Sequence, residues 1–262
     1  MKSPLKVAAC QIGTSPSLKR NADKVCEALK QIRDLGCHLA VFPECILSGY
    51  LPQHSLSFSL LKEHESQVVE YAGEQELWVA LGTTTERDDG WYNTARLYSP
   101  DGDCVATYDK TELTGADRNV FEPGQNLEVI QVGEWKIGLQ ICFDMRFPEN
   151  WRILRRQGAE MIIHLSNASR SASWKVPVLE GTVRCRAAEN GMYVVSANDA
   201  RKPQMMVSAI CDPNGKHLAC AEENQETIIH ATLDRKQVKT DYLEKRRTDL
   251  WSQKDLQQYL LE

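Results

Sequence analysis

The chain has 262 residues, 42% hydrophobic and 26% charged, with a formal net charge of −5 and a sequence pI of about 5.8. That is the make-up of a soluble globular protein with room for a sizeable core. It argues against a nucleic-acid surface, which carries a basic surplus, and against a membrane protein, because no apolar stretch approaches the ~20 residues that span a bilayer.

"LKVAACQI" near the start reads as a buried strand, too short for the apolar core of a signal peptide. Residues 18–35 carry Val25, Leu29, Ile32 and Leu35 at helical spacing and stop at Gly36. "HLAVFPE" is a second strand, "SQVVEYAGEQ" a helix and "LWVALGTTT" a third strand. "YNTARLYSPDGDCVATYDK" is a hairpin turned by Pro100-Asp101-Gly102, and "LEVIQVGEWKIGLQIC" gives two strands around Gly133. The second half has the same texture. "PENWRILRRQGAE" is a helix ending at Gly158, "MIIHLSNA" a strand, residues from about 178 to Gly191 a helix, and "MYVVSAND" a strand. "MMVSAICDPNGKHLACAEE" is a second hairpin, turned by Pro213-Asn214-Gly215. Alternating strands and helices indicate a layered α/β fold. The likeness of the two hairpins suits an internal repeat with two sheets face to face, and equally suits chance. No linker interrupts the pattern, so one domain over residues 1–262 is expected.

The nine cysteines are scattered and odd in number, and the closest pair, Cys37 and Cys45, is eight apart. Without a CxxC pair, zinc ribbons and dithiol redox centres are not expected, nor is a secreted disulfide framework. A cytosolic protein follows. The basic run at residues 244–247 is interleaved with acid and reads as a solvated face.

Three predicted strands run out into ionisable residues: Glu44 after "LAVFP", Lys110 after "CVATYD" and Cys142 after "WKIGLQI". In layered α/β folds, sites gather at the carboxyl ends of strands. Together the three would make coherent chemistry. A thiol attacks as thiolate, a neighbouring ammonium lowers its pKa, and a carboxylate takes its proton and later activates water. Lysine and the backbone N–H of Phe143, just after the sulfur, could bind an oxyanion. Singly, each has a plainer reading: a helix-start acid, a surface lysine, a core thiol. His164, on a predicted central strand, is the best candidate for a Cys–His hydrolase, and a satisfied core histidine is the favoured reading of it.

These stretches resemble the nitrilase superfamily of carbon–nitrogen hydrolases over nearly the whole chain. "VAACQI" is similar to its first strand, "FPECILSGY" to its glutamate block, "YDKTEL" with "FEPG" to its lysine block, "ICFDMRFPE" to its nucleophile block and "RCRAAENGMYVVSAND" to the helix and strand that follow. The resemblance implies a four-layer α-β-β-α sandwich and Glu44, Lys110 and Cys142 as the catalytic triad. It also implies no metal or organic cofactor, a small-molecule amide substrate and a homodimer or larger assembly. Two positions depart from the pattern: Glu112 stands where many members have His, and Asp117 where many have a second glutamate. Asp117, Asn167 and Trp174 are expected at the substrate, with Phe143 at the oxyanion. Arg146, Arg170, Tyr50 and the loop "LPQHSLSF" are further pocket candidates. Small amides are favoured over nitriles and N-carbamoyl amines. No ligase or glycosyl module accompanies the domain, so a glutamine-dependent synthetase is not expected, nor is a membrane acyltransferase. A sandwich that has lost its chemistry and only binds is the alternative of a different class.

Overall fold

The computed structural model describes residues 1–50, 56–169 and 173–245. The first half runs β1 (Leu5–Gln11), α1 (Leu18–Asp34), β2 (Leu39–Val41), α2 (Phe58–Glu74), β3 (Trp78–Arg87), β4 (Gly90–Tyr98) and β5 (Cys104–Asp109). The second runs β6 (Val129–Val132), β7 (Trp135–Ile141), α3 (Pro148–Arg156), β8 (Met161–Ser166), α4 (Val176–Asn190), β9 (Tyr193–Asn198), β10 (Ala209–Cys211) and β11 (His217–Cys220), followed by β12 (Thr227–Leu233) and the short α5 (Asp241–Glu244). Ser17 and Ser57 start α1 and α2 by accepting the N–H of Arg20 and of Leu60, two of the donors a helix start leaves without partners. Left-handed Gly191 closes α4.

The strands form two six-stranded sheets, ordered β12-β1-β2-β3-β4-β5 and β11-β10-β9-β8-β7-β6. Each has three parallel strands at its centre, β1-β2-β3 and β7-β8-β9. Each also has one antiparallel strand beyond the first of the three and two antiparallel strands beyond the last. The two Gly-turned hairpin strands therefore close the two sheets at equivalent places, which favours the internal repeat over chance. β12 is absent from the sequence reading. Its "TIIHATL" alternates poorly, and pairing with β1 along the whole of that strand is what makes it extended.

Three apolar layers separate four layers of structure. Between the sheets, Val7, Val41 and Ala95 meet Ile137, Ile163 and Val195. Val25, Leu29 and Val68 of α1 and α2 cover Val79 and Leu81. Trp151, Leu154 and Val183 of α3 and α4 cover Ile162 and Val194. Strands buried on both faces, such as the wholly buried β8, are what helices outside each sheet require. The molecule is thus an α-β-β-α sandwich. No described helix is long and apolar enough to cross a membrane, and all nine cysteines are free thiols.

Candidate active site

Four strand ends supply the site: β2 and β5 from one sheet, β7 and β8 from the other. Glu44 follows β2 and Lys110 follows β5, Cys142 follows β7, and Asn167 follows β8. Two glycines allow the backbones to come this close. A Cβ on Gly82 of β3 would stand 2.4 Å from Cys45 N and 2.8 Å from Glu44 Cα, so only a glycine lets the Glu44 turn lie on that strand. A Cβ on Gly124, the last residue of "FEPG", would stand 2.1 Å from Asp109 O; the Gly124 N–H donates to Lys110 O at 2.9 Å.

Lys110 is fully buried and bridges two carboxylates: Nζ donates to Glu44 Oε1 at 2.8 Å and to Asp117 Oδ2 at 2.9 Å. A surface-lysine reading is thereby excluded. Burial alone would lower its pKa, but Glu44, Cys142 and Asp117 overcome it and hold the ammonium well above its ordinary range. For Asp117 burial acts upward; Lys110 and the hydrogen bonds outweigh it and hold the carboxyl below its usual value. Asp117 Oδ1 accepts Tyr50 Oη at 2.6 Å and its Oδ2 also accepts Thr114 N at 2.9 Å. Burial, then Glu44, push the Tyr50 phenol up, so it remains a donor. Glu44 accepts on both oxygens, with Asn93 Nδ2 on Oε1 at 2.7 Å and Asn167 N on Oε2 at 2.8 Å. It sits in a turn, not at a helix start.

Cys142 opens a single 3-10 turn, Cys142–Arg146, with φ of 46°. This left-handed conformation costs an L residue energy, and strain of this kind concentrates at functional sites. Burial, followed by the Glu44 charge, pushes the thiol up to about 12, against the opposing pull of Lys110, the Ser166 hydroxyl and the Asn167 N–H. The Lys110 ammonium does pull this pKa down, as expected, but burial and the carboxylate outweigh it, and the resting group is a thiol. As the second residue of the turn, Phe143 has an N–H with no acceptor inside the turn.

Asp144 anchors this turn to the lysine strand. It is fully buried and accepts Ile141 N at 2.8 Å and Tyr108 Oη at 2.7 Å on one oxygen, and Glu112 N at 2.9 Å and Thr111 Oγ1 at 3.3 Å on the other. Trp151 Nε1 donates to its backbone carbonyl at 3.1 Å, tying in α3. Arg146 is exposed and makes no ion pair with Asp144 or Glu149.

His164 is fully buried, with Nε2 3.2 Å from Cys142 O and Nδ1 2.8 Å from Ser196 Oγ. A carbonyl only accepts, so Nε2 carries the proton and the ring supports the turn as a neutral donor. Burial lowers its pKa from 6.5 to about 4. The folded state thus excludes a proton that the unfolded chain binds. The stability this represents, about 3 kcal/mol, is present above pH ~6.5 and lost as pH falls toward ~4. Between about pH 7 and pH 4.5, His164→Asn is expected to lose some 2 to 3 kcal/mol less unfolding free energy in urea than the parent. Parallel losses in the two proteins would refute a neutral buried ring.

Asn167 has protein partners for every polar side-chain atom. Oδ1 accepts Arg201 Nη2 at 2.7 Å, and Nδ2 donates to Asp199 Oδ2 at 3.3 Å and to Glu44 O at 3.4 Å. Buried Asp199 also accepts Thr14 N and Oγ1. The residue expected to meet substrate therefore braces Glu44. Trp174 is 69% exposed, with the Lys175 ammonium 5.7 Å from its ring centroid. Arg170 and residues 51–55 of the "LPQHSLSF" loop lie outside the described residues. Asn93, Asp144, Asp199 and Gly82 are missed by sequence reasoning; a polar residue within an apolar strand, as in "YNTA", is the one signal they offer.

A four-layer sandwich whose facing strand ends bring a half-buried cysteine to a buried lysine–carboxylate cluster defines a class, the carbon–nitrogen hydrolases. The family described as carbon-nitrogen hydrolase matches residues 6–241, and the chain belongs to it, as an amidase-like member of the nitrilase superfamily. It is 25% identical to omega-amidase NIT2 of Mus musculus over 275 residues, covering 95% of this chain and 98% of that one. It is 32% identical to the deaminated glutathione amidase of Bos taurus over 248 residues, 82% of this chain and 73% of that one. Among solved structures, an amidase from Nesterenkonia sp. has the same fold, with a TM-score of 0.84 at 23% identity, covering 95% of this chain and 96% of that one.

Proposed function

We propose that this hydrolase cleaves small linear amides through a thioester on Cys142, with Glu44 as general base and Lys110 as oxyanion donor. The observation that carries the reading is the buried Lys110 bridge between Glu44 and Asp117, placed within electrostatic reach of the Cys142 thiol. A resting thiol needs a base at the moment of attack, and Glu44 is the carboxylate whose charge acts most strongly on that sulfur.

The steps follow. Sγ bonds to the amide carbon while its proton passes to Glu44. The carbonyl oxygen becomes an oxyanion that the Phe143 N–H and Lys110 Nζ receive. Glu44 returns the proton to the nitrogen, the carbon–nitrogen bond breaks, and ammonia or an amine leaves the thioester. Glu44 then takes a proton from water, hydroxide attacks the thioester, and the acid departs as sulfur regains its proton. Asp117 and Tyr50 hold Lys110 in line. Amides are favoured over nitriles because the relatives at whole-chain coverage bear amidase names. We assign the reaction to a reducing, cytosolic setting, in keeping with nine free thiols, and to a homodimer.

Ammonia or amine release from aliphatic amides, ω-amides of dicarboxylic acids, N-carbamoyl amines and nitriles tests the reading. Turnover of at least one amide class, in preference to nitriles, is expected. Turnover of nitriles alone, or of nothing while an amide binds, would overturn it.

A further inference from the structure

Asn93 lies on β4 and touches two of the strand ends that form the site. Its backbone carbonyl accepts the Lys110 backbone N–H at 2.9 Å, and its Nδ2 donates to Glu44 Oε1 at 2.7 Å. The residue is 1% exposed. Its remaining polar atom, Oδ1, accepts Cys45 Sγ at 3.4 Å. Cys45 follows Glu44 directly, is fully buried and holds φ of 51°, so a second strained cysteine stands beside the site without touching the reaction.

The thiol gives the amide its direction. Turned end for end, Asn93 would set Oδ1 against Glu44 Oε1, two acceptors in contact in a buried site, and leave Nδ2 facing a group that itself donates. Burial and then the Glu44 charge push the Cys45 thiol well up, which keeps it an S–H donor. A donor at Cys45 therefore selects the orientation that puts a second donor, beside Lys110 Nζ, on the carboxylate oxygen.

The geometry points to Asn93 as a positioning residue for Glu44, oriented by the Cys45 thiol: the pair holds the carboxylate in place and aimed so that it can take the Cys142 proton. This rests on Glu44 being the general base. In its absence Glu44 keeps Lys110 and Asn167 N, so the base is retained but less well held, and it binds its proton more readily.

Alkylation of Cys142 by iodoacetamide, followed by peptide mass spectrometry from about pH 5 to about pH 9, tests this whatever the substrate. In that step the Sγ–carbon bond forms, iodide leaves and the thiol proton passes to Glu44. Asn93→Leu is expected to react about tenfold more slowly near neutrality, with the acidic limb of its rate profile about one pH unit higher. Cys45→Ala is expected to shift in the same direction by less, and Cys45→Ser, which restores a donor, to recover most of that loss. A purely structural Asn93 would lower the melting temperature and the reactive fraction while the limb stayed at the parent pH, and that result overturns the proposal. Should Asn93→Leu not fold, identical limbs in Cys45→Ala and Cys45→Ser overturn it. Glu44→Gln separates the two claims. If it keeps the parent profile, the general-base reading fails; if it loses the limb while Asn93→Leu keeps it, the positioning role alone fails.

Discussion

Lys110→Met is expected to cost about 3 to 5 kcal/mol of stability, because removing one partner of a buried ion pair leaves the other charge uncompensated. Here two carboxylates lose their shared cation at once, since Glu44 and Asp117 are both fully buried and both held by Lys110 Nζ. The deficit is expected to shrink as pH falls from about 7 toward about 4: without the ammonium both carboxyls bind protons more readily in the folded state, and protonation relieves the repulsion between them. Activity falls for two reasons. The oxyanion loses its charged donor, which alone is worth about 10² to 10³ in rate, and Glu44 loses the ammonium that holds its Oε1 in place. Urea denaturation at several pH values, with amide turnover on the same samples, checks both parts. A Lys110→Met protein as stable as the parent and active at neutral pH would contradict the bridged arrangement.

Cys142→Ala is expected to separate chemistry from folding. The replacement keeps an L side chain at the same left-handed φ, so the backbone strain is unchanged, and it removes a single, partly buried sulfur at the margin of the core. Stability should move by no more than about 1 kcal/mol. Ammonia release should fall by more than about 10⁴-fold, the scale on which a nucleophile that acts as part of a unit is lost. Amide binding should persist, measurable by calorimetry, because the Phe143 N–H and Lys110 remain in place. An alanine variant that releases ammonia within tenfold of the parent would contradict covalent catalysis.

The parts of this site that are legible in the sequence share one signature. At Glu44, Lys110 and Cys142 an apolar strand ends in an ionisable side chain, and strand ends are where sheets of this kind present chemistry. The layered fold is legible for a related reason: helices of period 3.6 alternating with fully apolar strands leave little choice but helices outside both sheets. What escapes is what depends on distance across the fold. Asp144 gives no sign of its role in the sequence, yet it fastens the nucleophile turn to β5 through Tyr108 and Glu112, residues more than thirty positions earlier. Asn167 is expected at the substrate from the family resemblance; the side chains that hold it, Arg201 and Asp199, are thirty-odd positions later. Gly82 passes for an ordinary strand glycine until the Glu44 turn is laid on it. The thiol's proton affinity is hidden for the same reason, since residue types announce a neighbouring lysine while the burial that outweighs it belongs to the assembled site. β12 escapes because an edge strand needs little pattern of its own when a neighbour such as β1 offers a full row of partners.

Reaction with iodoacetamide bears most directly on the claim that Cys142 is the nucleophile. Eight other thiols provide internal controls, among them the exposed Cys104, Cys185 and Cys220. Residual amide turnover is followed against the extent of modification at each cysteine, peptide by peptide. Turnover is predicted to fall in direct proportion to alkylation of Cys142 and to be independent of the other eight, reaching background when Cys142 is fully modified. Turnover that survives complete modification of Cys142, or that tracks another thiol, would contradict the account.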